Sequence, residues 1–593
     1  MTASAETADF WSPRYDYTFR EDGTILMRHR DDLDDHMPVL ADYFDHWADA
    51  TPDRTWIARR QDGGDWRRIS YGEGRAQVRA LGAALLDLGL GPRRPLLILS
   101  ENSLEHGLLG MACAYVGIPF APVSPAYALV STDHGKLRDI AALLNPGAIF
   151  ADRGQAFGAA LAAIAAPDRA VINDRDPVAG AHVFGDLLRG DPAGADAARA
   201  ALGPDTVVKY LFTSGSTGSP KAVINTNGMI CAMQAMVRDC YRFLNRTPPV
   251  VLDWAPWNHT ASGNKVFYMV MTNGGSYYID DGKPAPGKFD ETLRNLRELN
   301  CTWYFNVPLG YELLIDALER DPALAGMFFR DLGMMFYAGA GMAQHIWDRL
   351  RAAGRAATGR EVLLATGLGA TETAPFALAC TEVQDRAGNV GPPARGLTLK
   401  LVPAGGKLEA RLKGPSIMPG YFGDPARTAE AFDAEGFYCL GDALRPADPD
   451  DLARGFFFDG RIAENFKLNT GTWVAVGSVR AALVDAMGGL VRDAVITGED
   501  RGELGALVIL SDKGSAMAER ELQAALQARL AEAAKAATGS ASRVRRLVVL
   551  REPPSFDRGE ITEKGSLNQR AMRTHRADLV ERMYKGGPEV IAV

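Results

Sequence analysis

The chain has 593 residues, which is enough for roughly three to five compact units at about 150 residues each, unless one large domain dominates. With 47% hydrophobic and 23% charged residues, it is expected to fold as an ordinary globular protein. The net charge of -8 offers no basic stripe for a nucleic-acid backbone, so we expect no nucleic-acid partner.

The cysteines and the apolar stretches indicate in which cellular compartment the protein is expected. The six cysteines are scattered without CxxC spacing, which predicts neither a disulfide framework nor a zinc site. Free thiols fit a reducing cytosol, and a cytoplasmic location is therefore expected. The first residues lack a basic region followed by an apolar one, so no signal peptide is predicted. The uncharged stretch 107–132 is interrupted by Pro and Gly, which predicts buried strand and turn and no membrane span.

Helix and strand signals alternate along the first 440 residues. Ser70 and Glu73 form a capping box before a helix that Gly89 closes. A short apolar strand at 95–100 and a helical pattern at 104–115 follow. Further strands are predicted at 148–151, 207–213, 250–254, 302–306, 334–337 and 361–365. This βαβ rhythm predicts an α/β fold with a large N-terminal domain built on helix-flanked β-sheets.

A smaller unit follows the segment FFFDGR at 456–461. Strands are predicted at 493–497, 506–510 and 545–550, and a helix at 519–537 carries three leucines on one face. We therefore predict a boundary after residue 460, with domains 1–460 and 461–593, the second of them α+β.

The stretch YLFTSGSTGSPKAV, residues 210–223, has a special composition. Seven of the nine residues from Thr213 to Lys221 are Gly, Ser or Thr, so the run has no apolar face to bury. After a strand, such a run directs backbone N–H groups and hydroxyls to one point and can hold phosphate oxygens. The Walker A spacing is absent, because Ser219 and Pro220 follow Gly218. On composition alone, a flexible surface loop is the alternative.

TSGSTGSPKAV resembles the phosphate loop of the adenylate-forming superfamily, which includes acyl-CoA synthetases, nonribosomal adenylation domains and luciferases. Further segments resemble the rest of that signature in order: ATGLGATETAP, YCLGD, GRIAENFKL and EITEKGSLNQ. The resemblance covers roughly residues 40–575. It implies that the small C-terminal domain is mobile, and that ATP, Mg²⁺ and coenzyme A are used.

The resemblance also implies a nucleotide site. Glu372, a hard oxygen ligand, would hold Mg²⁺ with Thr217, and Asp442 would accept both ribose hydroxyls with Arg461 donating nearby. Taken singly, Glu372 could be an exposed acid at a helix start and Asp442 an Asx turn. The implied nucleotide-binding residues are Thr213, Ser214, Gly215, Ser216, Thr217, Gly218, Lys221, Gly369, Thr371, Glu372, Asp442, Arg461 and Lys467.

Four residues are implied as catalytic: Lys564, Lys221, Glu372 and His259. Lys564 resembles the small-domain lysine that bridges the attacking carboxylate and the α-phosphate, where it lowers the repulsion between two anions. Its Glu-Lys-Gly context departs from the usual Gly-Lys, and Lys585 is a rival. His259 resembles a gate to the acyl pocket, although a packed, hydrogen-bonded histidine is the alternative.

Two further positions depart from the family pattern. Leu368 replaces the aromatic residue expected before Gly369, so adenine would pack on an aliphatic side chain. Ala463 stands where the family has a polar residue at the pivot between the domains, which leaves the hinge at 461–464 less directly supported.

The resemblance implies a two-step reaction in which an acid and ATP form acyl-AMP and a thiol then displaces AMP. IAENFKLNTGTWV and EITEKGSLNQRA most resemble the feruloyl-CoA synthetase branch, which implies a hydroxycinnamate such as ferulate. Candidate pocket residues that suit a flat ring with a polar tip, or that form ordinary core, are Trp254, His259, Asn306, Tyr337, Gly339, Gly341 and Gly367.

Several alternatives stay open at this point. The chain could be an aryl or medium-chain acyl-CoA ligase, or a stand-alone adenylating domain that loads a carrier protein, although no carrier-protein segment is evident. A non-catalytic nucleotide-binding module is a third class, which Lys221, Glu372 and Lys564 argue against. A monomer and a homodimer are both compatible with the sequence.

Overall fold

The computed structural model describes residues 9–214, 220–562 and 565–593. In this part of the chain, none of the helices combines the length and the apolar composition that a bilayer span requires. The stretch 107–132 is helical at its start, inside helix Leu104–Val116, so the prediction of strand and turn is wrong there. Its glycines permit close packing, because a Cβ at Gly107 would lie 2.9 Å from Ile57 and one at Gly110 would lie 3.2 Å from Phe120.

The first large sheet is mostly parallel and is covered on both sides. Strand Leu96–Leu99 is fully buried, and its alternate residues enter two different hydrophobic clusters, one on each face. Only the edge strand Pro220–Thr226 runs antiparallel to its neighbour. In spatial order the strands are Pro220–Thr226, Val207–Ser214, Phe120–Pro122, Leu96–Leu99, Ala148–Arg153, Ala170–Arg175 and His182–Val183.

Two further sheets complete the helix-flanked part of the large unit. In the three-stranded parallel sheet, Trp303, Phe305 and Phe336 enter one hydrophobic cluster, while Tyr304 and Tyr337 enter another on the opposite face. Its strands are Trp303–Asn306, Met334–Tyr337 and Leu363–Ala365. The four-stranded sheet contains Val250–Asp253, Ser276–Ile279, Thr55–Arg60 and Trp66–Ser70.

A second seven-stranded sheet is antiparallel, and the sequence analysis did not predict it. Its edge is the hairpin 15–29, which joins the sheet because Ile25 pairs with Leu401. In spatial order the strands are Tyr15–Phe19, Ile25–His29, Thr398–Ala404, Lys407–Lys413, Tyr438–Pro446, Phe456–Arg461 and Asn389–Gly391. Two short two-stranded sheets pair Gly367–Leu368 with Leu378–Ala379 and Phe466–Lys467 with Trp473–Val474.

The C-terminal part has its own four-stranded sheet, and one hydrophobic cluster draws only on residues 466–591. The predicted strands and helix are confirmed, with ends shifted by at most two residues. The fold class is therefore confirmed as a large α/β unit and a small α+β unit, while the boundary after residue 460 stays a prediction. The strands are Val491–Thr497, Leu504–Leu510, Val544–Val549 and Ile591–Ala592.

Helices cover the sheets, and their caps follow the sequence. The Ser70 hydroxyl accepts the backbone N–H of Glu73 at 3.2 Å, which confirms this cap of helix Tyr71–Asp87. The other α-helices are Leu40–Ala50, Leu104–Val116, Ala126–Leu129, Gly135–Leu144, Gly158–Ala163, Phe184–Leu187, Ala193–Arg199, Asn227–Cys240, Phe267–Thr272, Phe289–Leu296, Pro308–Arg320, Pro322–Phe329, Gln344–Thr358, Pro425–Glu430, Val476–Ala486, Asp512–Ser515, Glu519–Ala536, Gln569–His575 and Ala577–Lys585. Single turns of 3₁₀-helix are Arg242–Asn245, Thr371–Thr373, Leu452–Arg454 and Ile462–Glu464, and Ala261–Val266 is a π-helix.

The segment that precedes Lys564 is anchored to the large unit. Ser131 and Thr132 donate their hydroxyls to the two carboxylate oxygens of Asp557 at 2.7 and 2.9 Å. The ammonium of Lys136 donates to the Phe556 carbonyl at 3.2 Å, and the Phe556 ring lies 5.8 Å from the ring of Tyr127. These contacts tie residues 556–557, which precede Lys564 in the sequence, to the surface of the large unit.

We predict that Asp557→Ala loosens this contact. An exposed hydrogen bond of this kind is worth about 1 kcal/mol, so amide exchange in segments 126–137 and 553–562 should accelerate about fivefold. Hydrogen–deuterium exchange of the full chain measures the exchange rates of the two segments. The control is Glu532→Ala, which removes an exposed acid on helix Glu519–Ala536. Exchange equal to that of the control in both segments would contradict the prediction.

Candidate active site

Two antiparallel strands flank the Gly/Ser/Thr run. Strands Val207–Ser214 and Pro220–Thr226 pair with Thr213 opposite Lys221 and Ser214 opposite Pro220, so the two ends of the run are fixed side by side. The predicted phosphate-binding residues Gly215, Ser216, Thr217 and Gly218 lie outside the described residues, as does the side chain of Ser214.

Lys221 and Glu372 come together around a tyrosine that the sequence analysis missed. The Tyr421 hydroxyl donates to Oε1 of Glu372 at 2.9 Å, and Nζ of Lys221 lies 4.9 Å from the centroid of the Tyr421 ring. Burial lowers the pKa of Lys221, while the negative charge of Glu372 opposes that shift. Glu372 is only 8% exposed, so the alternative of an exposed acid at a helix start is wrong.

A cavity of about 290 Å³ opens beside Lys221. Its walls include Phe212, Tyr421, Asp424 and Arg427, which bring basic, acidic and aromatic groups to the flank of the Gly/Ser/Thr run. Asp424 caps helix Pro425–Glu430 by accepting the backbone N–H of Arg427 at 3.0 Å. Neither Tyr421 nor Arg427 was singled out from the sequence, and the cap signal of Asp424 followed by Pro425 could have located only the turn.

The backbone of segment 367–372 packs closely against residues 375–378. A Cβ at Gly369 would lie 1.7 Å from the Pro375 carbonyl oxygen, and one at Gly367 would lie 2.5 Å from that of Leu378, so no larger residue fits either backbone position. Leu368 is half-buried, and its strand pairs with Leu378–Ala379. Thr371 opens the short helix that carries Glu372.

Asp442 and Arg461 are opposite each other on neighbouring strands. Nε of Arg461 lies 3.5 Å from Oδ1 of Asp442, and Asp442 is 7% exposed. Burial raises the pKa of Asp442 to about 6, and the charge of Arg461 opposes that shift. Oδ1 accepts no hydrogen bond from any residue that the structure describes. A buried acceptor without a donor is suited to a ligand that brings hydroxyl groups.

Buried polar groups hold the segment around His259. The π-helix Ala261–Val266 begins two residues after it, and the Gly263 N–H donates to the His259 carbonyl at 2.8 Å. Lys209, which is fully buried, donates to the Gly263 carbonyl at 2.6 Å. Asp253 accepts the hydroxyl of Ser262 at 2.6 Å. The position of His259 is therefore set by its neighbours' hydrogen bonds, a signal that the sequence does not carry.

The predicted pocket residues lie on two faces of the three-stranded sheet. Trp254 donates its indole N–H to Oδ1 of Asn306 at 3.1 Å. Tyr337 lies on the same face and accepts the backbone N–H of Gly388 at 2.8 Å. Gly367 adjoins the other face, because a Cβ there would lie 3.3 Å from Cζ of Phe336.

Three other predicted site residues, Gly339, Gly341 and Lys467, take part in none of the contacts described above. Gly339 has a φ of +89°, which favours glycine, and a Cβ at Gly341 would meet open space. Lys467 is exposed, and its Nζ lies 4.9 Å from the centroid of the Trp473 ring. Lys564 and the side chain of Ala463 lie outside the described residues.

Two known family profiles match this chain. The sequence profile of the AMP-binding enzyme family matches residues 44–422, and that of the AMP-binding enzyme C-terminal domain matches residues 468–587. A carboxylic acid reductase of Mycobacterium marinum is 26% identical over 573 residues, which are 87% of this chain. The chain spans only 46% of the length of that relative.

Two other relatives are matched over most of their length. A 4-coumarate–CoA ligase of Pinus taeda is 25% identical over 83% of this chain and 89% of its own. A feruloyl-CoA synthase of Amycolatopsis is 26% identical over 78% of this chain and 88% of its own.

Solved structures share the fold at low identity. ATP-bound MatB from Rhodopseudomonas palustris is 21% identical with a TM-score of 0.68, over 91% of this chain and 99% of its own. The A domain of carboxylic acid reductase from Segniliparus rugosus, in complex with AMP and a co-purified carboxylic acid, is 19% identical with a TM-score of 0.69, over 92% of this chain and 94% of its own. Because the first profile alone covers more than half of the chain, this protein belongs to the AMP-binding enzyme family, within the adenylate-forming superfamily.

Proposed function

We propose that the protein is an ATP-dependent acid–thiol ligase that activates an aromatic, hydroxycinnamate-type carboxylate as acyl-AMP and transfers the acyl group to coenzyme A. The contacts of Tyr421 with both Lys221 and Glu372, at the end of the Gly/Ser/Thr hairpin, carry the proposal. A cation and a buried carboxylate that share one tyrosine support a role in binding a triphosphate and its metal ion.

Glu372 fits a magnesium ion. Mg²⁺ in nucleotide sites is held by one or two carboxylates together with substrate phosphates, and Glu372 offers a buried carboxylate next to Lys221. Thr217 is proposed as the second ligand. When bound, the ion would neutralise part of the phosphate charge.

In the first step, the acid carboxylate attacks the α-phosphorus of ATP, and pyrophosphate leaves with the electrons of the broken P–O bond. The ammonium of Lys221 and the run Thr213–Gly218 hold phosphate oxygens, while Asp442 accepts the ribose hydroxyls next to Arg461. We assign to Lys564 the role of lowering the repulsion between the two reacting anions. In the second step, the small domain turns about residues 461–464, and the thiolate of coenzyme A displaces AMP.

The proposed acid substrate rests on sequence similarity to characterised ligases. Ferulate-type specificity is supported by the feruloyl-CoA synthase and 4-coumarate–CoA ligase relatives, at about one quarter identity. An aryl or medium-chain acid is the alternative. The carboxylic acid reductase match favours a second candidate, an adenylating unit that passes its acyl group to a carrier in place of free coenzyme A.

The first test compares acids and thiols. We expect AMP and pyrophosphate release with cinnamates to exceed release with benzoates and alkanoates, and AMP turnover to require coenzyme A because the acyl-adenylate otherwise stays bound. A coupled assay over a panel of matched acids, with and without coenzyme A, measures both. A single burst of about one pyrophosphate per enzyme, with no further turnover when coenzyme A is added, would favour the carrier-loading function, and the absence of both pyrophosphate and AMP with every acid would overturn the ligase proposal.

Lys564→Ala separates the two steps. Without its ammonium at the reacting centre, adenylation should fall by several orders of magnitude, while thioester formation from pre-made acyl-adenylate stays largely intact. The matched control is Lys585→Ala, since Lys585 is an exposed lysine of the same small unit. If the Lys585 variant loses adenylation and the Lys564 variant keeps it, the two roles are exchanged.

Asp442 should make nucleotide binding depend on pH. Ionised Asp442 accepts both ribose hydroxyls, and burial has raised its pKa to about 6, so affinity is full above pH 7 and declines as the pH falls through 6. Between pH 7.5 and 5.5 the affinity ratio of AMP to 2′,3′-dideoxy-AMP should fall about fourfold. Equilibrium dialysis measures the ratio, in which the titration of the phosphate cancels.

Asp442→Asn is the control for this prediction. It keeps the shape of the side chain but removes the charge, so the ratio should be low at both pH values. A wild-type ratio that does not change with pH would rule out a ribose-binding role for the Asp442 carboxylate.

A further inference from the structure

Lys265 is a buried lysine that forms no ion pair with any acidic residue that the structure describes. It belongs to the π-helix Ala261–Val266, is 4% exposed, and its Nζ forms no hydrogen bond with the described residues. The ammonium position lies 3.2 Å from the centroid of the Phe336 ring and 4.8 Å from that of Phe376. Aromatic faces attract a cation, but burial dominates and lowers the pKa of Lys265 well below its usual value.

Two more buried polar groups lie next to these rings, Trp303 beside Phe336 and Tyr241 beside Phe376. The indole N–H of Trp303 and the hydroxyl of Tyr241 have no hydrogen-bond partner within the described part of the chain. Nζ of Lys265 lies 5.8 Å from the Trp303 ring, and the Tyr241 ring lies 5.8 Å from Phe376. We call Tyr241, Lys265 and Trp303 the donor cluster.

Three neighbouring polar groups without partners are unusual in a protein interior. Buried polar atoms are paired in the great majority of cases, because each unpaired group keeps its full desolvation cost. An ammonium, an indole N–H and a phenol all donate, so what is missing from the cluster is an oxygen that accepts. The rings of Phe336 and Phe376 beside it suit a flat apolar body attached to that oxygen.

The residues around the donor cluster are close in sequence to proposed site residues, and one of them, Phe336, lies beside the proposed pocket residue Gly367. Lys265 stands six residues after His259 on the same segment, and Phe376 follows Glu372 by four residues. Phe336 contacts the position of Gly367, where a Cβ would lie 3.3 Å from its Cζ. The cluster therefore lies behind Phe336, on the sheet face opposite to Asn306 and Tyr337.

We propose that the donor cluster determines the acid specificity of this enzyme by receiving the phenolic oxygen of a hydroxylated aromatic acid. This inference rests on the proposed function and deepens it. The amine of Lys265 donates to the phenolate or accepts the phenol proton, while Trp303 and Tyr241 donate to the same oxygen. An acid without the hydroxyl leaves all three groups unpaired, and a site of this kind discriminates strongly against such an analogue.

The kinetic test compares 4-hydroxycinnamate with unsubstituted cinnamate and 4-methoxycinnamate. Wild type should favour the hydroxylated acid in kcat/KM by at least about 30-fold over cinnamate, and Lys265→Met should bring that ratio close to one. The methoxy acid separates hydrogen-bond donation by the phenol from simple acceptance, because it can only accept. A ratio in Lys265→Met that equals the wild-type ratio would overturn the proposal.

Binding without ATP supplies a readout that does not depend on catalysis. When a phenol shares its proton with an amine, the absorbance of a hydroxycinnamate shifts to longer wavelength, so wild type should show this shift and Lys265→Met should not. Wild type that binds the hydroxylated and unsubstituted acids equally well, without a shift, overturns the donor cluster. Failure of every acid to yield AMP overturns the ligase function instead, so the two failures are distinguishable.

Tyr241→Phe and Tyr71→Phe form a matched pair. Tyr241→Phe deletes one hydroxyl of the donor cluster and should reduce the preference for the hydroxylated acid several-fold. Tyr71→Phe deletes a buried hydroxyl that donates to the Gly275 carbonyl and not to a residue of the cluster, and should leave the preference unchanged. Equal loss in both variants would contradict the inference, and AMP binding by each variant checks that it is folded.

Discussion

Tyr421 contacts both Lys221 and Glu372, and this junction is the constraint on which the rest of the site depends. It joins three segments of the large unit: the second strand of the hairpin, the short helix Thr371–Thr373, and the loop after Gly420. The Glu372 carbonyl also accepts the backbone N–H of Met418 at 2.9 Å, so the same junction is held by main chain and side chain. The buried Glu372 carboxylate keeps a hydrogen-bond donor in the Tyr421 hydroxyl, which offsets part of the cost of its burial. The junction therefore fixes Glu372 near the ammonium of Lys221.

A second set of buried polar groups holds the segment 253–265. Asp253 accepts from Ser262 and from the Tyr277 hydroxyl, and Lys209 donates to the carbonyl of Gly263. Gly263 is required where it stands, because a Cβ there would lie 2.0 Å from the Trp257 carbonyl oxygen. These hydrogen bonds satisfy backbone and side-chain groups that a π-helical turn would otherwise leave unpaired in the core. The same turn carries His259 at one end and Lys265 at the other, so the proposed gate and the proposed specificity residue share one support.

Hydrogen bonds and an aromatic contact join the small unit to the large one. Asp557 and Phe556 contact residues 127–136, and Asp442 and Arg461 pair near the point where the chain passes into the small unit. Exposed hydrogen bonds of this kind are each worth about 1 kcal/mol, which is compatible with the domain movement proposed for the second step.

The sequence by itself determined the alternation of helices and strands, the cap at Ser70, and the composition of the run that ends at Lys221. These features are local, because periodicity, capping and the composition of a loop are written within a few neighbouring residues. Glu372 and Asp442 became candidates through the resemblance of short motifs to the adenylate-forming superfamily. Only the tertiary structure decided that Tyr421 reaches Glu372 from 49 positions away, and that the hairpin 15–29 joins strand Thr398–Ala404. It also decided that Lys265 lies beside the rings of Trp303, Phe336 and Phe376, and that Tyr241 packs against Phe376. Such contacts depend on how distant segments pack, and a one-dimensional pattern does not contain that information.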